Sequence, residues 1–181
     1  METERELLDA LRKGERAAMR RLYDRYSKYA MAIGLRYIPN RDEMRDVLQD
    51  CFVKIITNID HFDYRGEGSL KSWVSRIVAN RAIDHIREHE RQPFAEEMPD
   101  DVIDPEPDVG EVPPEVLDEM IGQLPTNYRV VLNLFVFEQL SHREISQQLG
   151  ISERNSTTLF FRAKKLLQKM IIEYKNKQQR I

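Results

Sequence analysis

Apolar residues recur along this chain at spacings of three and four, the period of an α-helix with one buried face. They nowhere settle into the alternation that a half-buried strand requires. The opening METERELLDALRKG is an amphipathic helix pattern closed by Gly14. The periodicity predicts helices over about 3–13, 15–37, 41–58 and 70–90, with Pro39 separating the second from the third. Asn40, followed by Glu43, reads as the N-terminal cap of the third helix, which would bury Met44, Val47, Leu48, Phe52 and Ile55. The loop DHFDYRGEGSL, Asp60–Leu70, holds two glycines, and Ser69 is expected to cap the helix after it. Further helices are predicted over about 114–123, 126–138, 142–149 and 153–175. The expected fold is all-α, without internal repeats.

The sharpest local signal is LSHREISQQLGISERNSTTLFFRAKK, Leu140–Lys165. Ser141 and Glu144 form a capping box, Ile145 and Leu149 share one face, and Gly150 supplies the left-handed stop. Ser152 then caps a second helix whose core stripe is Ser156, Phe160, Ala163 and Leu167. Its opposite face carries Arg154, Asn155, Thr157, Thr158, Phe161, Arg162 and Lys165. Two helices joined by such a turn make a helix-turn-helix, whose second helix lies in the DNA major groove. The alternative is an ordinary helical hairpin; the hydrogen-bonding and basic residues gathered on one face favour DNA.

The net charge of −3 over 181 residues argues against nucleic acid only until its uneven spread is counted. Residues 1–91 hold 18 Lys and Arg against 16 Asp and Glu, residues 92–119 hold none against 11, and residues 120–181 hold 10 against 4. The acidic stretch contains Pro93, Pro99, Pro105, Pro107, Pro113 and Pro114 and reads as an extended linker. The expected organisation is therefore a domain over 1–91, a linker over 92–113 and a second domain over 114–181. No apolar run is long enough to cross a bilayer, and no secretory leader is expected. A single cysteine, Cys51, sits on a helical apolar face as a plain core thiol, which fits a cytoplasmic protein.

Two long runs carry a family resemblance. DVLQDCFVKIITNIDHFDYRGEGSLKSWVSRIVANRAIDHIRE, Asp46–Glu88, resembles the second conserved region of bacterial RNA polymerase sigma factors of the extracytoplasmic-function group. LPTNYRVVLNLFVFEQLSHREISQQLGIS, Leu124–Ser152, resembles that group's fourth region, in the same order and with no third-region domain between. The resemblance implies a protein that binds core RNA polymerase, directs it to particular promoters and opens the DNA there. It places Asp46, Gln49, Asp50 and Lys54 on a face that docks the polymerase, where carboxylates suit a basic partner. It gives the minus-ten element and its melted strand to Tyr64, Arg76, Asn80, Arg81, Arg87 and Arg91, with Asn80 the first choice to read a flipped base, because an amide both donates and accepts. It gives the minus-thirty-five element to the face of Arg154, Asn155, Thr157, Thr158, Phe161, Arg162 and Lys165. Trp73 matches the motif too, but its spacing from Leu70 and Ile77 suits a core anchor.

Departures and competitors bound this reading. Members of the group commonly place Lys or Arg near positions 157 and 159, where this chain has Thr157 and Leu159, so fewer phosphate contacts are expected. HIREH, His85–His89, fits the H-x-x-E-H signature of inverted zinc peptidases, but Arg87 and Arg91 crowd it and no distant ligand is apparent. With no phosphate-cradling glycine loop and no nucleophile–base pair, no enzyme activity, metal or cofactor is expected. Two other classes remain: a stand-alone helix-turn-helix regulator, disfavoured by a first domain without an effector pocket, and a protein-only helical adaptor, disfavoured by the basic face after Ser152. Members of the group are often held by an anti-sigma factor; nothing in this chain identifies one.

Overall fold

The computed structural model describes residues 2–95 and 112–178. It contains eight α-helices and one short 3-10 turn, with no strand among the described residues. The chain divides into two compact units, Met1–His89 and Glu90–Ile181. Most of the acidic linker, including Asp100, Asp101, Asp104, Glu106 and Asp108, lies outside the described residues.

The first unit is built from α1 (Glu4–Arg12), α2 (Arg16–Tyr37), α3 (Arg41–Thr57), the 3-10 turn Ile59–His61 and α4 (Ser69–His89). Thr3 and Glu6 form a capping box at the start of α1. The Asn40 side chain accepts the backbone N–H groups of Asp42 and Glu43, as the sequence predicts for α3. Helices α2, α3 and α4 pack against one another, and α1 lies against α2 and the 3-10 turn. Met44, Val47, Cys51 and Ile55 of α3 meet the buried stripes of α2 and α4, among them Leu22, Ala30, Val74, Val78 and Ile83. Each buried Val, Leu, Ile or Met among them contributes about 1.5–3 kcal/mol by leaving water. Gly34 lets α2 approach α3 closely, since a Cβ there would collide with the Met44 side chain.

In the second unit α5 (Pro114–Gly122), α6 (Thr126–Val136) and α7 (His142–Leu149) surround α8 (Glu153–Gln178), which packs on all three. Ile121, Leu124, Leu132 and Ala163 form a buried cluster, flanked by Leu117, Tyr128, Phe160 and Leu167. The buried Arg129 donates to the carbonyls of Leu124 at 2.7 Å and Gly122 at 3.3 Å, which places its positive charge at the negative end of α5. The Ser141–Glu144 capping box and the left-handed Gly150 (φ 69°) that closes α7 are both present, so the helix-turn-helix forms where its signals lie. No described helix is long and apolar enough to cross a membrane.

Candidate nucleic-acid interface

The loop before α4 is shaped from α1. The backbone N–H of Glu4 donates to Glu67 Oε1 at 3.0 Å, and its own carboxylate accepts Gly68 N–H at 2.8 Å, Leu70 N–H at 3.2 Å and Lys71 N–H at 3.3 Å. The same carboxylate, only 2% exposed, also takes the Tyr26 hydroxyl at 2.8 Å. Burial and that hydrogen bond hold the Tyr26 phenol far above its ordinary range. Arg12 ties the other end of the loop by donating to the Phe62 carbonyl at 2.6 Å. Gly66 and Gly68 take positive φ, 116° and 89°, which admits the tight path between these anchors. Ser69 does not cap α4 as its sequence position suggests. It is the first residue of the helix, and its hydroxyl donates to the Gly66 carbonyl at 2.6 Å, so the orphan N–H groups turn to Glu4 instead.

Held in this way, the loop and the first turns of α4 border an open cavity of about 420 Å³, lined by His61, Phe62, Asp63, Arg65, Ser69, Ser72, Trp73 and Arg76. Trp73 is half-buried, packs on Phe62 with centroids 4.9 Å apart, and lines the cavity, so it is more than a core anchor. His61, Asp63 and Ser72 were not singled out by sequence pattern. Their only sequence signal was membership of the glycine-bearing loop and the α4 face that includes Arg76. Tyr64 is half-buried outside this lining, and Asn80 is exposed one turn beyond Arg76.

Arg81 is engaged within the first unit. It pairs with Asp50 at 3.0 Å and Glu88 at 3.3 Å, and its side chain is 21% exposed. Burial opposes its charge, but the bond to Asp50 and the charge of Glu88 outweigh that and raise its pKa. Arg87 is exposed and pairs with Asp84 at 3.6 Å; Arg91, also exposed, belongs to the second unit. On α3, Asp46, Gln49, Asp50 and Lys54 are all exposed, and Val53 lies among them 63% exposed. Cys51, beneath this face, is fully buried, and burial lifts its thiol to about 12.

In the second unit His142 stacks on Phe135 with centroids 4.7 Å apart and shares a 2.9 Å hydrogen bond with the Ser156 hydroxyl, locking α7 onto α8. Burial lowers the His142 pKa, with Glu153 opposing. On α8, Arg154, Phe161 and Lys165 are exposed, and Thr157 and Arg162 half-buried. Asn155 and Thr158 differ from expectation: they are 1% and 7% exposed. The Asn155 side-chain amide donates to the Ala95 carbonyl at 3.2 Å, and the Thr158 hydroxyl bonds back to the Arg154 carbonyl at 2.9 Å. Leu159, where basic residues were expected to be common, is fully buried. The start of the second unit thus reaches α8, and Glu90 accepts the Thr126 hydroxyl at 2.8 Å.

Residues 22–92 match the family described as Sigma-70 region 2, and residues 115–167 match Sigma-70, region 4. The ECF RNA polymerase sigma factor SigM of Bacillus subtilis is 28% identical over 155 residues, covering 81% of this chain and 90% of its own length. The chain belongs to the extracytoplasmic-function sigma factors. The ECF RNA polymerase sigma-E factor of Haemophilus influenzae is 25% identical across 93% of this chain and 95% of its own, and SigW of Bacillus subtilis is 26% identical across 89% and 92%. As a sigma factor the protein binds core RNA polymerase and promoter DNA and directs initiation; it is not itself an enzyme. Helix α1, which shapes the loop of this sigma factor, lies ahead of the matched residues.

Proposed function

We propose that the cavity between the 60–69 loop and α4 receives a base flipped from the minus-ten non-template strand, and that Arg76 and Asn80 hold the strand as it leaves the duplex. The observation that carries this reading is the cavity itself: the aromatic Trp73 and the polar Asp63, Ser69 and Ser72 line a space on the region-2 helix. Stacking against an aromatic wall and hydrogen bonding to a base edge are the two interactions that offset unstacking. The exposed face of Asp46, Gln49, Asp50 and Lys54 docks the polymerase, with Val53 as its apolar centre. Arg154, Thr157, Phe161, Arg162 and Lys165 meet the minus-thirty-five element. Asn155 and Thr158 join them once the Ala95 segment is displaced. The groove of about 390 Å³ between α2 and α3, rimmed by Tyr23 and Leu48, suits an apolar segment of an anti-sigma factor. A factor that acts on the polymerase works in the cytoplasm.

The test is permanganate reactivity of unpaired thymines in the reconstituted holoenzyme. Arg76→Ala and Asn80→Ala retain closed-complex binding through the second domain and lose opening, Asn80→Ala by about 1–3 kcal/mol. Reactivity equal to that of the parent for both variants rejects the assignment.

A further inference from the structure

His85 and His89 stand one turn apart on α4, their rings stacked with centroids 4.0 Å apart and planes inclined by 26°. Glu88 lies beside them, and one ligand atom from each of the three falls within 4.8 Å of the others. Each imidazole has one nitrogen engaged by a group that only accepts. His85 Nε2 is 2.7 Å from Glu43 Oε1, and His89 Nδ1 is 2.8 Å from the His85 carbonyl oxygen. The engaged nitrogens therefore carry the protons, and in the neutral rings the lone pairs sit on His85 Nδ1 and His89 Nε2. A carboxylate behind one ring and a backbone carbonyl behind the other are the partners that fix tautomer and orientation in metal-ligating histidines.

We propose that His85, Glu88 and His89 bind a divalent transition ion of the zinc class, with Glu43 on α3 orienting His85 from behind. Two imidazoles and a carboxylate suit Zn²⁺, Co²⁺ or Ni²⁺, whereas Ca²⁺ and Mg²⁺ require an oxygen cage. Tetrahedral bonds of about 2.0–2.1 Å put ligand atoms roughly 3.4 Å apart, so the three side chains close inward on the ion by side-chain rotation. Glu88 can turn because Arg81 keeps Asp50 at 3.0 Å when Glu88 leaves it. The arginines that crowd the motif in sequence are disposed elsewhere: Arg87 pairs with Asp84, and Arg91 lies beyond the end of α4. The fourth position goes to water. The ion fastens the end of α4 toward α3 through His85 and Glu43 and performs no chemistry.

Titration of the full chain with Co²⁺, followed by its visible absorption and by displacement with Zn²⁺, tests the site. Saturable binding of one ion per chain is expected, with Ca²⁺ and Mg²⁺ silent. His89→Gln and Glu88→Gln, both at exposed positions, lower the affinity at least tenfold. Glu43→Gln, which touches no metal, lowers it roughly 10–100-fold, a loss that an incidental histidine pair would not show. Trp73 fluorescence on unfolding in the absence of metal confirms that each variant is folded. Absence of one-to-one binding by the parent, equal binding by a His85→Gln/His89→Gln double variant, or indifference to Glu43→Gln overturns the proposal.

Discussion

Arg81 of α4 donates to the carboxylate of Asp50 on α3 at 3.0 Å. The pair joins a residue expected on promoter DNA to one expected on the polymerase, so a charge change at either end acts on both faces. Asp50→Lys should weaken holoenzyme assembly, partly by loss of complementary charge and partly by setting a cation against Arg81. The swap Asp50→Lys with Arg81→Glu restores the intramolecular pair. Assembly measured across a salt series should remain weak in the swap while its unfolding midpoint returns toward the parent. Recovery of assembly in the swap would assign Asp50 to the fold alone.

The Glu4 carboxylate serves three backbone N–H groups and the Tyr26 hydroxyl. Glu4→Ala leaves buried donors without an acceptor and should cost about 3 kcal/mol in the first domain. Urea unfolding read from Trp73, the single tryptophan, reports it. The same variant should open promoters poorly even under conditions where it is fully folded, because the wall of the cavity formed by the loop is no longer fixed.

Phe94 is 8% exposed beside Ala95, whose carbonyl holds Asn155. Phe94→Ser should loosen this segment and bare Asn155 and Thr158. Releasing one hydrogen bond of about 1 kcal/mol corresponds to about fivefold tighter binding of the free protein to minus-thirty-five duplex, read by fluorescence anisotropy. Unchanged affinity would mean that the segment does not compete with DNA.

His142 titrates below its ordinary value because burial disfavours its charged form, while Glu153 works the other way. The folded state therefore takes up a proton less readily than the unfolded chain, whose histidine titrates near about 6.5. The stabilisation is fully present above that value and is lost as pH falls through it toward the depressed folded value. The calorimetric transition of the second domain should drop between about pH 7.5 and about pH 5, and His142→Gln should flatten that slope.

Helix positions were legible because their signals are local. Asn40, the Ser141–Glu144 box and Gly150 each act within a few residues, and each forms as read. What sequence pattern missed is settled by partners distant along the chain. Ser69 looks like a cap until Glu4 arrives from 66 residues before Leu70, and the pairing of Arg81 with Asp50 spans 31 residues that no local pattern connects. A helical wheel puts Asn155 and Thr158 on the outer face of α8, but it carries no information about what lies against them, and both are buried. The same holds for HIREH, whose imidazole orientations depend on Glu43 of another helix.

The long reach of Glu4 also sets an order of events during biosynthesis. Helix α1 is translated first, yet its carboxylate has no N–H groups to receive until the start of α4 has been made, 66 residues later. At roughly 5–20 residues per second, that is a wait on the order of 3–13 s on the ribosome. Until then the Glu4 carboxylate can take only the Tyr26 hydroxyl, 22 residues on, and the loop before α4 has no anchor on α1.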